Sequence, residues 1–167
     1  EIEIINFRSI EYRKFNIDTG FYLLSGNSGA GKSTLLESLE WVLYGGKVVS
    51  PFHLKSKKEL TKVSLFLNNL KIIRTKPPDK LIVKKEETVL ESDEAQNYIN
   101  QIFGSKLFWK TTSYLSQDYR HNLLFGSKDD KNEIIKELIY GIDISKQNPD
   151  YYLEKVNEYS KTVASDI

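Results

Sequence analysis

The chain has 167 residues and a formal charge of +1, with 40% hydrophobic and 28% charged residues, which suits one ordinary core or one lobe of a larger domain and excludes two complete enzymatic domains. Its apolar runs are a few residues long, too short to span a bilayer, and it has no cysteine, which excludes disulfides, thiolate zinc sites and thiol catalysis. With no signal peptide legible, an intracellular protein without membrane partners is predicted, and near-neutral charge leaves any nucleic-acid contact to a local patch.

Glu1 to Ile5 alternates polar and apolar residues, and Tyr12 to Ile17 reads as a second short strand; the two are predicted to pair. After the turn residues Asp18-Thr19-Gly20, the continuous apolar run Phe21-Tyr22-Leu23-Leu24 predicts a strand buried on both faces. It leads into a glycine-rich loop, beyond which Leu35, Leu36, Leu39, Val42 and Leu43 recur at helical spacing until Gly45-Gly46. From Thr61 to Leu90 the runs around Val63-Leu65-Leu67, Ile72-Ile73 and Leu81-Val83 are broken by Asn68-Asn69 and Pro77-Pro78-Asp79, the pattern of an antiparallel meander. Ser92-Asp93-Glu94 opens a helix through Tyr98, Ile99, Ile102 and Phe103 to Gly104. Ser127 with Asp130 makes a capping-box-like start for a helix carrying Ile134, Ile135, Leu138 and Ile139 and stopping at Gly141. Beyond Pro149, Tyr152, Val156, Tyr159 and Val163 follow a heptad seam. Methionine is absent, at the first position included, so the ends are not read as natural termini.

The loop Gly26-Asn27-Ser28-Gly29-Ala30-Gly31-Lys32-Ser33 matches GxxxxGK[ST] at every required position, with a predicted strand before it and a helix after it. Such a loop curls its backbone N–H groups inward onto phosphate oxygens, and the helix N-terminus adds its dipole. Lys32 is the predicted counter-charge for the β and γ oxygens of ATP, and Ser33 the predicted hydroxyl ligand of Mg2+, with Thr34 completing the cofactor-binding stretch. Hydrolysis also needs a carboxylate for magnesium and a group that orients water. No apolar strand ending in Asp or Asp-Glu follows Lys32: Ile142-Asp143 comes after a helix stop, and Leu81-Ile82-Val83 runs into lysines. The missing acidic strand is therefore expected from another segment or polypeptide.

Asn6-Phe7-Arg8-Ser9, the loop itself, Leu43-Tyr44-Gly45 and Ser116-Gln117 together resemble the N-terminal half of an ABC-type ATPase head of the SMC-like double-strand-break-repair class, which includes bacterial SbcC, its phage counterparts and the ATPase subunit of the MRN complex. The resemblance implies an α/β P-loop NTPase fold, with residues 1–145 as the N-terminal lobe and 146–167 as the beginning of a coiled-coil helix. It implies a head completed by a C-terminal lobe with signature and Walker B motifs, a second head in a homodimer, DNA, and a nuclease subunit. Gln117, 85 residues beyond Lys32, resembles the Q-loop glutamine that reaches magnesium and the attacking water, a catalytic role shared with Lys32. Arg8 resembles an arginine that approaches the nucleotide. Ser28 stands where the repair ATPases carry Asn and transporter-type loops carry Ser.

Two alternatives belong to other classes. An ABC transporter subunit fits Ser28 but not the Asn6-Phe7-Arg8-Ser9 opening or the heptad tail, and a small-molecule kinase would need an arginine-rich lid where Gly104 to Gly126 holds only Arg120. Trp41, Tyr44, Phe108 and Trp109 read as core aromatics, and His53 and His121 are too isolated for a metal site. Lys55, Lys57, Lys58, Lys62, Lys71, Arg74 and Lys76 form the basic surface legible in the sequence.

Overall fold

The computed structural model describes residues 1–46, 59–114 and 125–140. Gln117, the two histidines, Lys55, Lys57, Lys58 and the heptad segment lie outside the described residues. The chain divides into two compact units, Glu1–Ile99 and Asn100–Ile167. Among the described residues no helix is long and apolar enough to cross a membrane.

The first unit is built on a six-stranded sheet of β1 (Ile2–Phe7), β2 (Ile10–Phe15), β3 (Thr61–Leu67), β4 (Leu70–Lys76), β5 (Lys80–Lys85) and β6 (Thr88–Glu91), in the spatial order β2-β1-β3-β4-β5-β6. Every neighbouring pair is antiparallel. The meander expected over Thr61 to Leu90 is present, because Asn68, at a φ of 45°, accepts the left-handed turn that joins β3 to β4. Side chains alternate across a pleated strand. One face therefore collects Ile2 and Ile4, Val63 and Leu65, Ile72, Leu81 and Val83, all buried.

Helix α1 (Lys32–Tyr44) lies on that face with Leu35, Trp41, Val42 and Leu43 buried, and Phe7 meets Trp41 with ring centroids 5.5 Å apart. Helix α2 (Ser92–Phe103) contributes Ala95 and Ile99 to the same core, and its Gln96 reaches β4 by a side-chain hydrogen bond.

The strand expected at Phe21 to Leu24 does not form. The segment stays outside the sheet, and Phe21 and Leu23 are 95% and 84% exposed. A strand buried on both faces needs hydrogen-bonding strands on either side and a layer over each face. Among the described residues every strand is already in the antiparallel sheet, so nothing here pairs this segment.

In the second unit, α3 (Lys106–Thr112) and α4 (Lys128–Tyr140) bury Trp109 and Ile134. The sequence reading missed α3, a helix of only seven residues whose start is set by Ser105, the hydroxyl of which accepts the Phe108 N–H at 3.1 Å. Buried Glu137 of α4 accepts the backbone N–H and hydroxyl of Ser105, both at 2.6 Å. The capping box at the start of α4 is as expected: Asp130 N–H donates to Ser127 Oγ at 3.1 Å and Ser127 N–H to Asp130 Oδ2 at 3.2 Å.

Candidate nucleotide-binding site

The glycine-rich loop closes directly onto the N-terminus of α1. Gly29 and Gly31 have φ of 81° and 92°, left-handed values that a side chain resists. At Gly29 a Cβ would meet nothing within 4 Å, so backbone conformation and not crowding calls for glycine there. Ala30 N–H turns back to the Asn27 carbonyl at 3.2 Å and Leu35 N–H to that of Gly31 at 3.0 Å, which sets the first helical turn immediately after the loop. No side chain caps α1 at its start and no acidic residue stands in its first turn, so the positive end of its dipole faces the loop uncompensated.

Lys32 folds back across this loop and donates to the carbonyls of Gly26 and Asn27, both at 2.8 Å. Its ammonium thus sits over the backbone of the loop. Ser33 is exposed beside it, and Thr34 is buried with its hydroxyl 3.4 Å from that of Ser9. Gly26, Asn27, Ser28, Gly29, Ala30, Gly31, Lys32 and Ser33 are therefore brought together as one surface.

Arg8 stands in the turn between β1 and β2. It forms an ion pair with Glu37 in the second turn of α1, with side chains 33% and 23% exposed, and its own φ is 50°. Arg8 and Ser9 together strap the β1–β2 turn onto the helix that follows the loop. Gln117, the other catalytic and metal candidate, lies outside the described residues.

On the β2 side of the loop a cleft of about 340 Å³ is lined by Tyr12, Arg13, Gly29 and Ala30, among others. Sequence reasoning passed over Tyr12 and Arg13 as ordinary strand residues, and also over Glu37. The available signal was spacing for Glu37, four positions beyond Ser33 on the same helix; for Tyr12 and Arg13 there was none.

The far end of α1 is held by Arg74, which leaves the expected basic surface for the core. It is 9% exposed and donates to the carbonyls of Val42 at 3.2 Å and Leu43 at 3.3 Å and to Gln96 Oε1 at 2.9 Å. Gln96 in turn donates to the Leu43 carbonyl at 3.0 Å. A guanidinium on the last carbonyls suits the negative end of the helix dipole. Burial pushes its pKa below the usual arginine value, and Asp79 acts in the opposite sense. Gly45 admits this arrangement because a Cβ there would lie 2.8 Å from Arg74 Nη1. Arg74→Met is expected to cost about 2 kcal/mol, since the stem still fills the site but buried carbonyls lose charged donors. Urea unfolding beside the wild type measures this, and an unchanged midpoint would contradict it.

Comparison with known proteins fits this geometry. The chain is 30% identical to Uncharacterized protein 050L of Invertebrate iridescent virus 6, over 99% of the chain but 16% of that protein. It is 47% identical to the DNA double-strand break repair Rad50 ATPase of Archaeoglobus fulgidus over 47 residues, 28% of the chain and 5% of that protein. With protein 094L of Invertebrate iridescent virus 3 it shares 29% identity over 63% of the chain and 13% of that protein. The chain thus spans a sixth or less of the length of these relatives. Residues 1–164 match the family described as an AAA domain, AAA_23. The match over residues 1–164, nearly the whole chain, shows that this chain belongs to the AAA domain family.

Proposed function

We propose that this chain is the ATP-binding lobe of an SMC-like DNA-repair ATPase, in which ATP joins two heads and so controls DNA engagement or an associated nuclease. The observation that carries the reading is Lys32, held 2.8 Å from the Gly26 and Asn27 carbonyls at the uncapped start of α1. The partial match to a Rad50 ATPase supports the repair class.

In this reading the loop N–H groups grip the phosphates and Lys32 leaves the loop carbonyls for the β and γ oxygens. Magnesium fits beside it, since the exposed Ser33 hydroxyl is a hard oxygen donor of the kind it takes. When bound, it would neutralise charge developing between those oxygens. Gln117 would orient the attacking water. Arg8, held by Glu37, would act on the nucleotide only by exchanging that carboxylate for a phosphate, so its first role is to fix the β1–β2 turn.

The rest of the head must come from the C-terminal lobe. The exposed run Phe21 to Leu24 supports this, because such a surface gains stability once strands pair with it. The test is light scattering on the full-length protein with hydrolysis blocked. A dimer with ATP and a monomer with ADP are expected; a monomer with both would sink the head-dimer reading.

A further inference from the structure

Within the first unit α1 packs against one face of the sheet and leaves the second face open, and the charges of that second face are arranged unlike those of an ordinary solvated surface. The registers set Lys62, Thr75 and Lys80 side by side across β3, β4 and β5, and Phe66, Lys71 and Lys84 in a parallel row. Lys14 of β2 stands between these rows, opposite Glu3. Two of the lysines are matched by carboxylates: Lys14 by Glu1 at 3.0 Å and Lys62 by Glu3 at 3.2 Å. Among the described residues no carboxylate pairs with Lys71, Lys80 or Lys84; the Lys71 ammonium lies 4.5 Å from the Phe66 ring centroid.

Lys71 and Lys84 are direct cross-strand partners, an arrangement of like charges that destabilises a sheet. Lysines are often placed on edge strands to block unwanted pairing, but β4 and β5 are interior to the order β2-β1-β3-β4-β5-β6. Edge protection therefore does not explain them. The face carries no arginine, since Arg13 pairs with Ile4 and Arg74 with Val63 on the packed side. Arginine forks grip carboxylates and phosphates alike at two points, whereas a lysine ammonium acts as a point charge that attracts phosphate without fixing its orientation. Neighbouring strands are about 4.8 Å apart and same-face rows roughly 7 Å apart, so the cations spread over an open sheet face.

We propose that this open sheet face docks the phosphate backbone of a nucleic-acid duplex, with Lys71, Lys80 and Lys84 as the phosphate contacts. The inference rests on the DNA-engaging reading above and adds the surface that makes the contact. That surface shares Lys62 and Lys71 with the basic surface legible in the sequence and departs from it at Arg74, which is buried, and at Lys76, which lies opposite Thr61 on the packed side and pairs with Asp79.

The test uses the full-length protein, a fluorescent duplex of mixed sequence and a salt series. Lys71→Gln with Lys84→Gln is expected to weaken binding by about tenfold or more and to reduce the salt slope by about two, one for each lost phosphate contact. Removing the like-charged pair should leave Tm unchanged or raised, a result that a structural role for these stems would not produce. Lys76→Gln, on the other face, should leave affinity unchanged. Equal affinity and slope in wild type and double variant would overturn the proposal, as would displacement of the duplex by poly-glutamate at matched charge. If ATP-dependent dimerisation persists in that case, the head-dimer reading survives and only the surface assignment fails. Lys84→Gln alone, at an exposed position, gives the same comparison should the double variant fold poorly.

Discussion

Lys32→Ala is expected to weaken ATP binding by about a hundredfold or more, the equivalent of roughly 3 kcal/mol. The side chain donates only to the carbonyls of Gly26 and Asn27, and the loop it crosses is exposed. Those carbonyls can turn to water when the ammonium is removed, so the cost to folding should stay below about 1 kcal/mol. ATP titration beside circular dichroism and thermal unfolding separates the two effects. A variant that binds ATP as tightly as the wild type would show that the phosphates are held elsewhere, and a variant that no longer folds would show that Lys32 is a structural clamp.

ATP hydrolysis by these 167 residues alone is expected to be slower by about a thousandfold than hydrolysis by the same residues joined to their complementary lobe. Loss of an acid–base or charge-stabilising group has effects of this order. The sequence offers no acidic strand end to hold magnesium and water, and among the described residues no cluster of three or more acidic or histidine side chains gathers to hold a metal. A second readout comes from the exposed run before the loop. Burying a large apolar side chain contributes about 1.5–3 kcal/mol, so Phe21, Leu23 and their neighbours should become protected when the complementary lobe is added. Amide exchange over Phe21 to Leu24 should slow in the joined protein. Fast turnover by the isolated chain, persisting through purification, would place a catalytic acid within it; unchanged exchange over that run would mean the lobe docks elsewhere.

Local signals carried most of the reading that survived. The glycine loop, the start and end of α1, the meander turns and the Ser127–Asp130 box are all short-range chemistry. Each depends on residues a few positions apart, and each lies where the sequence put it. Arg74 and Lys76 were grouped with Lys62 and Lys71 because charge was counted along the chain. Which side of a strand a residue faces depends on register, and one step of register exchanges the packed face for the open one.

Taken alone, the sequence determined where the glycine-rich loop lies and that a helix follows it at once, and it offered no legible acidic half of a hydrolysis site. These are properties of consecutive residues, readable because glycine conformations, helix starts and apolar periodicity are local. Only the tertiary structure decided that Arg74 caps the end of α1 and is not a surface cation, and that Arg8 is tied to Glu37. It likewise decided that Phe21 to Leu24 remains outside the sheet, and that Lys71 and Lys84 face each other across two interior strands. Each of those depends on which strand lies beside which, a pairing set by burial of the whole apolar face and not by any single segment.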